Sequence, residues 1–185
     1  WCRSPSRVRS SNWETPLGLA RIDEDLAAKI AALDGAAADP QAHRSEHSIE
    51  VQLPFLQFIA LGRTFEFVPI CMMMQDYDTV RDVGTILAEA IQDSKKNIIL
   101  IASSDFSHAG FNYHSAPPSG MRVDEYAQKQ DTLAIKDILA LDPLQLIETV
   151  EKHGITMCGS CPVAAMLYAA KKLGESREAL LKYGN

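Results

Sequence analysis

The sequence predicts an α/β fold, and three observations carry that reading. Phe65–Cys71 reads as a short apolar strand. Residues 77–92 follow with Val80, Val83, Ile86, Leu87, Ala90 and Ile91 on one helical face. Residues 97–103 then hold Ile98-Ile99-Leu100-Ile101-Ala102, a continuous, β-branched apolar run too short for a membrane span. Strand, helix, strand with a crossover of this length implies parallel pairing and a right-handed connection. The run at 97–103 is expected to be a strand buried on both faces. It ends at Ser103-Ser104, and Asp105 and His108 follow in a loop closed by Gly110. Open α/β sheets put their chemistry at the carboxyl ends of such strands. The plainer reading is a turn-capping aspartate beside a solvated histidine.

The other elements follow in order. Residues 1–12 are polar, without a period, and read as a loop; Arg3, Arg7 and Arg9 form a solvated basic patch. Trp13–Gly18 is a turn leading into a strand, and Asp23-Glu24 opens a helix that stops near Gly35. Residues 47–60 are expected to be a helix bent at Pro54. Residues 111–121 form a loop restricted by two prolines. A helix is expected over about 122–140, and a second from Asp142-Pro143 to His153-Gly154, with aspartate as cap and proline at the first position. Cys158-Gly-Ser-Cys161-Pro162 opens a last helix that ends at Gly174, and 176–182 adds a helical turn.

A chain of 185 residues suits one domain, 1–185, with one sizeable core. The formal net charge of -6 argues against a nucleic-acid partner. No apolar stretch reaches transmembrane length, so no membrane partner is expected. Four cysteines are too few for a disulfide scaffold, which points to reduced thiols and a cytoplasmic location. The chain begins with Trp1 rather than methionine, as an excerpt of a longer protein would.

Cys158 and Cys161 sit before and at the start of a helix, where N–H groups and the dipole favour a thiolate. Three readings stay open: a dithiol redox pair, one cysteine as a ligand in a mixed His/Cys metal site, or a structural pair. No second Cys-x-x-Cys exists to complete a zinc site. Asp105 and His108 suit acid/base work or metal ligation, with the aspartate orienting the imidazole. Glu46-His47 is a second acidic–histidine pair, or a helix cap. His43, His114 and His153 read as solvated. Met72-Met73-Met74 reads as packing rather than a copper site, because three consecutive residues cannot face one point.

Four motifs occur in one order: Trp13-Glu-Thr-Pro-Leu-Gly18, Glu46-His-Ser-Ile-Glu-Val-Gln-Leu-Pro-Phe55, Ser103-Ser-Asp-Phe-Ser-His108 and Cys158-Gly-Ser-Cys-Pro162. That series resembles the Memo family, named for a mediator of cell motility and also known as AmmeMemoRadiSam system protein B. The resemblance implies a mixed, largely parallel sheet flanked by helices in three layers, similar to LigB-type non-haem iron extradiol dioxygenases. It implies a metal-dependent redox protein. Cys158 would ligate a divalent iron or copper with two histidines, and Asp105 and His108 would supply acid/base groups. Glu46, His47, Ser104 and Cys161 would line the cleft. The family's Pro-His-Ala-Gly and Gly-Pro-x-His stretches do not occur here. The chain is therefore expected to lack strands at both ends and two metal ligands. Tight metal binding by this chain alone should fail, and open strand edges should favour homo-oligomers. Cys161 is not a family ligand, and beside Cys158 it raises the prospect of a disulfide. A different class is a binding module, since some family members are associated with phosphotyrosine peptides; a small molecule or peptide would occupy the same cleft. A third is a thiol oxidoreductase using Cys158 and Cys161.

Overall fold

A computed structural model describes residues 12–34, 40–43, 47–74, 76–113 and 115–184. The chain folds into two compact units, one of residues 1–74 and 89–98, the other of 75–88 and 99–185.

The first unit is built on a small mixed sheet of three strands in the order β1 (Trp13–Thr15), β2 (Gly18–Ile22), β3 (Glu66–Phe67). β1 and β2 pair antiparallel across a tight turn, Trp13 opposite Ala20 and Thr15 opposite Gly18. Gly18 takes φ 110°, a conformation that a side chain disfavours. β2 and β3 pair in parallel, Arg21 opposite Glu66 and Ile22 opposite Phe67. Between them runs α1 (Glu24–Asp34), capped by Asp23, whose Oδ1 accepts the Leu26 N–H at 3.0 Å. The Lys96 ammonium joins the buried Asp23 carboxylate at 2.7 Å to Glu66 at 3.2 Å. Those two bonds hold the Lys96 pKa above its usual range, Asp23 contributing more than Glu66.

Several expectations in this unit are corrected. The helix expected over 47–60 is a 3-10 turn at Glu50–Gln52 followed by α2 (Leu53–Ile59). Pro54 lies in the first turn of α2 instead of bending its middle, because proline lacks the N–H an interior position needs. The strand expected over 65–71 pairs only at Glu66–Phe67. His43 is not a solvated histidine: its ring meets the edge of Trp13 at 5.8 Å, and Trp13 in turn meets Phe67 at 5.5 Å.

The run at 97–103 forms no ladder among the described residues, which corrects the buried strand. Ile99 is 84% exposed and Ile101 58% exposed. Its apolar side chains call for cover on both faces, and no described strand pairs with it.

The second unit is helical. It takes the first three turns of α3 (Tyr77–Gln92), then α4 (Val123–Leu139), α5 (Pro143–His153) and α6 (Ser160–Lys172). Val80, Ala134, Leu146 and Ala164 lose all solvent contact. Gly84 permits a close crossing of α3 and α6. A Cβ there would lie 2.8 Å from Tyr168 Cβ and 2.9 Å from the Ala165 carbonyl oxygen. α5 starts as its sequence dictates, with the Asp142 carboxylate accepting the Gln145 N–H at 3.0 Å and Pro143 in the first turn. It ends at Gly154 in the left-handed region, φ 60°. The extra helical turn expected at 176–182 does not form. No helix among the described residues is long and apolar enough to cross a membrane.

Candidate functional site

The loop after residue 103 meets the link between α5 and α6, all within the second unit. Gly159 caps α6 and is buried against the loop; its N–H donates to Ser104 Oγ at 2.9 Å. Ser104 Oγ donates in turn to the Asp105 carbonyl at 2.8 Å. The Asp105 N–H points at Cys158 Sγ, 3.3 Å away. Two residues before the helix, Cys158 is exposed.

Thr156 fixes the other end of the loop. Its Oγ1 accepts the His108 N–H at 2.7 Å and donates to the His108 carbonyl at 3.0 Å. The His108 ring is thereby held beside Tyr113, centroids 5.1 Å apart. Its Nε2 stands 3.8 Å from Asp105 Oδ2, too long for a hydrogen bond. That nitrogen is buried and has no hydrogen-bond partner among the described residues.

Asp105, His108 and Cys158, the residues read from the sequence, thus come together. One oxygen, one nitrogen and one sulfur all lie within 4.8 Å of one another. Carboxylate, imidazole and thiolate are a donor set that iron, copper or zinc accepts. Ser104 borders the group through Gly159 and Asp105. Glu46 lies outside the described residues, as does His114. His47 is exposed and belongs to the first unit.

Cys161 departs from expectation. It is 1% exposed, inside the first turn of α6, so it lines no open cleft. Burial is the largest cause pushing its thiol up to about 11, with the Asp76 carboxylate adding to it. The helix N-terminus therefore does not make it a thiolate, because desolvation outweighs the dipole. Cys158 and Cys161 are both free thiols, not a disulfide.

The sequence reading missed Thr156, Asp131 and Tyr183. Asp131 is 3% exposed on α4, and its Oδ1 accepts the Ser107 N–H at 2.8 Å. Its Oδ2 accepts the Tyr183 hydroxyl at 2.7 Å. A signal was available: Asp131 falls between Ala127 and Ala134 at helical spacing, a carboxylate in an apolar stripe.

Fold and site together define an α/β protein with a mixed carboxylate–imidazole–thiolate cluster at the start of a helix. The profile of the Memo-like protein family matches residues 2–185. A MEMO1 family protein of Methanopyrus kandleri is 42% identical over 172 residues, which is 92% of this chain and 56% of that protein. One from Methanosarcina acetivorans is 41% identical over 184 residues, 98% of this chain and 63% of its own length. One from Methanococcus maripaludis is 44% identical over 175 residues, 92% of this chain and 57% of its own length. The chain belongs to the Memo family. It spans roughly three fifths of the length of these curated relatives, at 56%, 63% and 57%.

Proposed function

We propose that this chain carries part of a metal-centred redox site related to that of LigB-type non-haem iron dioxygenases. One observation carries the reading: the donor atoms of Asp105, His108 and Cys158 converge within 4.8 Å. The buried His108 Nε2 supports it, since it has no hydrogen-bond partner among the described residues and a buried ring nitrogen is costly unless something satisfies it.

Cys158 would hold a divalent iron or copper ion as its thiolate, with two histidines from outside this chain completing the set. Bound there, the ion would supply one-electron chemistry. His108 would take or give a proton at Nε2, and Asp105 would orient the ring and balance its charge. The small sheet would be one part of the larger, helix-flanked sheet of that three-layer fold. A reducing cytoplasm would keep Cys158 reduced, and exposed Ile99 and Ile101 would favour association of copies. The cleft would take a small molecule or a peptide. The dithiol alternative is disfavoured by the burial of Cys161 and its raised pKa.

Anaerobic equilibrium dialysis against iron(II), with metal analysis of the protein at equilibrium, tests the proposal. The wild-type chain is expected to take one ion, more weakly than a site with both outside histidines. Cys158→Ser should cut that affinity by at least ~10-fold, the scale seen even for indirect partners of a ligand. No iron(II) bound at equilibrium even weakly, or binding that Cys158→Ser leaves unchanged, would overturn the metal reading and leave the binding module.

A further inference from the structure

We propose that Asp131 and Tyr183 form a positioning latch for the site loop, one carboxylate holding the loop with one oxygen and the C-terminal segment with the other. Asp131 lies on α4, outside the metal-donor cluster; among the described residues its bonds go to Ser107 and Tyr183 and not to the three donor atoms. Its Oδ1 accepts the N–H of Ser107, the residue before His108, at 2.8 Å. Its Oδ2 accepts the Tyr183 hydroxyl at 2.7 Å.

The case rests on desolvation and position. A carboxylate that is 3% exposed must have its oxygens satisfied, and these two bonds do so with one donor from each of two distant segments. Ser107 is 24 residues from Asp131 and Tyr183 is 52 residues from it. Neither bond serves α4 itself. Residues 175–184 have no helix or strand, and Leu180 and Leu181 within them are 52% and 94% exposed. Within that exposed segment the Tyr183 phenol is anchored to α4. Burial, then its bond to the Asp131 carboxylate, raises its pKa to about 12, so it remains a donor at neutral pH.

The loop end at His108 is thus gripped twice, by Thr156 at His108 itself and by Asp131 at the preceding residue. Losing the second grip should let the Ser107 amide open and displace the imidazole from its place near Asp105. The metal arm of this inference rests on the proposed function; the geometric arm does not.

Two measurements separate them. The first is amide hydrogen exchange at Ser107 in the metal-free chain, with the Leu146 amide of α5 as the internal reference. Tyr183→Phe, which removes one hydroxyl from a surface segment, is expected to speed Ser107 exchange several-fold. Asp131→Ala should speed it roughly 10-fold or more, the loss of a charge-assisted bond. Asp131→Asn keeps an acceptor for Ser107 and should restore most of the protection. Leu146 should not change in Tyr183→Phe or Asp131→Asn. The second is iron(II) affinity at equilibrium, expected to fall about 10-fold in Asp131→Ala and to recover in Asp131→Asn. Unchanged Ser107 exchange in Tyr183→Phe overturns the latch, and so does equal acceleration at Leu146. If Asp131→Ala fails to fold, Tyr183→Phe and Asp131→Asn decide alone. If wild type binds no iron(II) at equilibrium, the functional reading fails while the exchange result still judges the latch.

Discussion

Gly159→Ala is expected to dismantle the candidate site. An ideal Cβ at Gly159 would sit 2.6 Å from Ser104 Cβ, 2.7 Å from the Ser103 carbonyl oxygen and 2.8 Å from Ser104 Oγ. Real side chains do not tolerate such distances, and one of the three atoms is backbone. The φ of −107° suits any residue, so the glycine is needed for space and not for its conformation. The loop must retreat, and both the Gly159–Ser104 and Asp105–Cys158 contacts break with it. Overpacking of this kind costs about 3 kcal/mol at its upper range. A drop of that size in urea-denaturation stability is expected, along with a changed alkylation rate at Cys158. Wild-type values for both would mean the loop has slack that its packing conceals.

Thr156→Val should act on the same loop by a different route. The volume hardly changes, but the hydroxyl that both accepts from and donates to His108 disappears. The backbone N–H and C=O of His108 lose their partner in a half-buried setting. Leaving such groups unmet costs about 1–3 kcal/mol each, less where water reaches them, so a loss of about 2 kcal/mol is expected. Thr156→Ser keeps the hydroxyl and should retain most of the stability. If valine and serine behave alike, the hydroxyl is irrelevant and the loop is held by packing.

The sequence told most about elements whose ends carry their own chemistry. Asp142-Pro143 and Gly154 bracket α5 without help from the rest of the fold, and the apolar face of 77–92 marks α3 to the residue. It told least where structure depends on partners far along the chain. Apolar residues at 97–103 read as a strand, but a strand exists only with a neighbour to bond, and none is described there. The site divides the same way. Asp105 and His108 are visible as a spacing and Cys158 as a position before a helix. Thr156 has no local mark, because its role comes from a residue 48 positions away. Cys161 misled for the opposite reason: its position in the helix suggested a reactive thiol, and only burial decides otherwise.

The succession of α4, α5 and α6 also bears on the order in which the site comes into being. These helices are neighbours in sequence and pack in that order, joined by short links, so closing each pair costs little chain entropy. Thr156, Cys158 and Gly159 lie in the second of those links. They take their places as soon as the hairpin of α5 and α6 closes. Ser104 and His108 must instead be delivered across 55 and 48 residues of chain. During refolding, pulse-labelling should find the Leu146 amide protected before that of Ser107; the reverse order would contradict this. On that order, the sulfur of Cys158 would stand at a finished helix start before any aspartate or histidine arrives beside it.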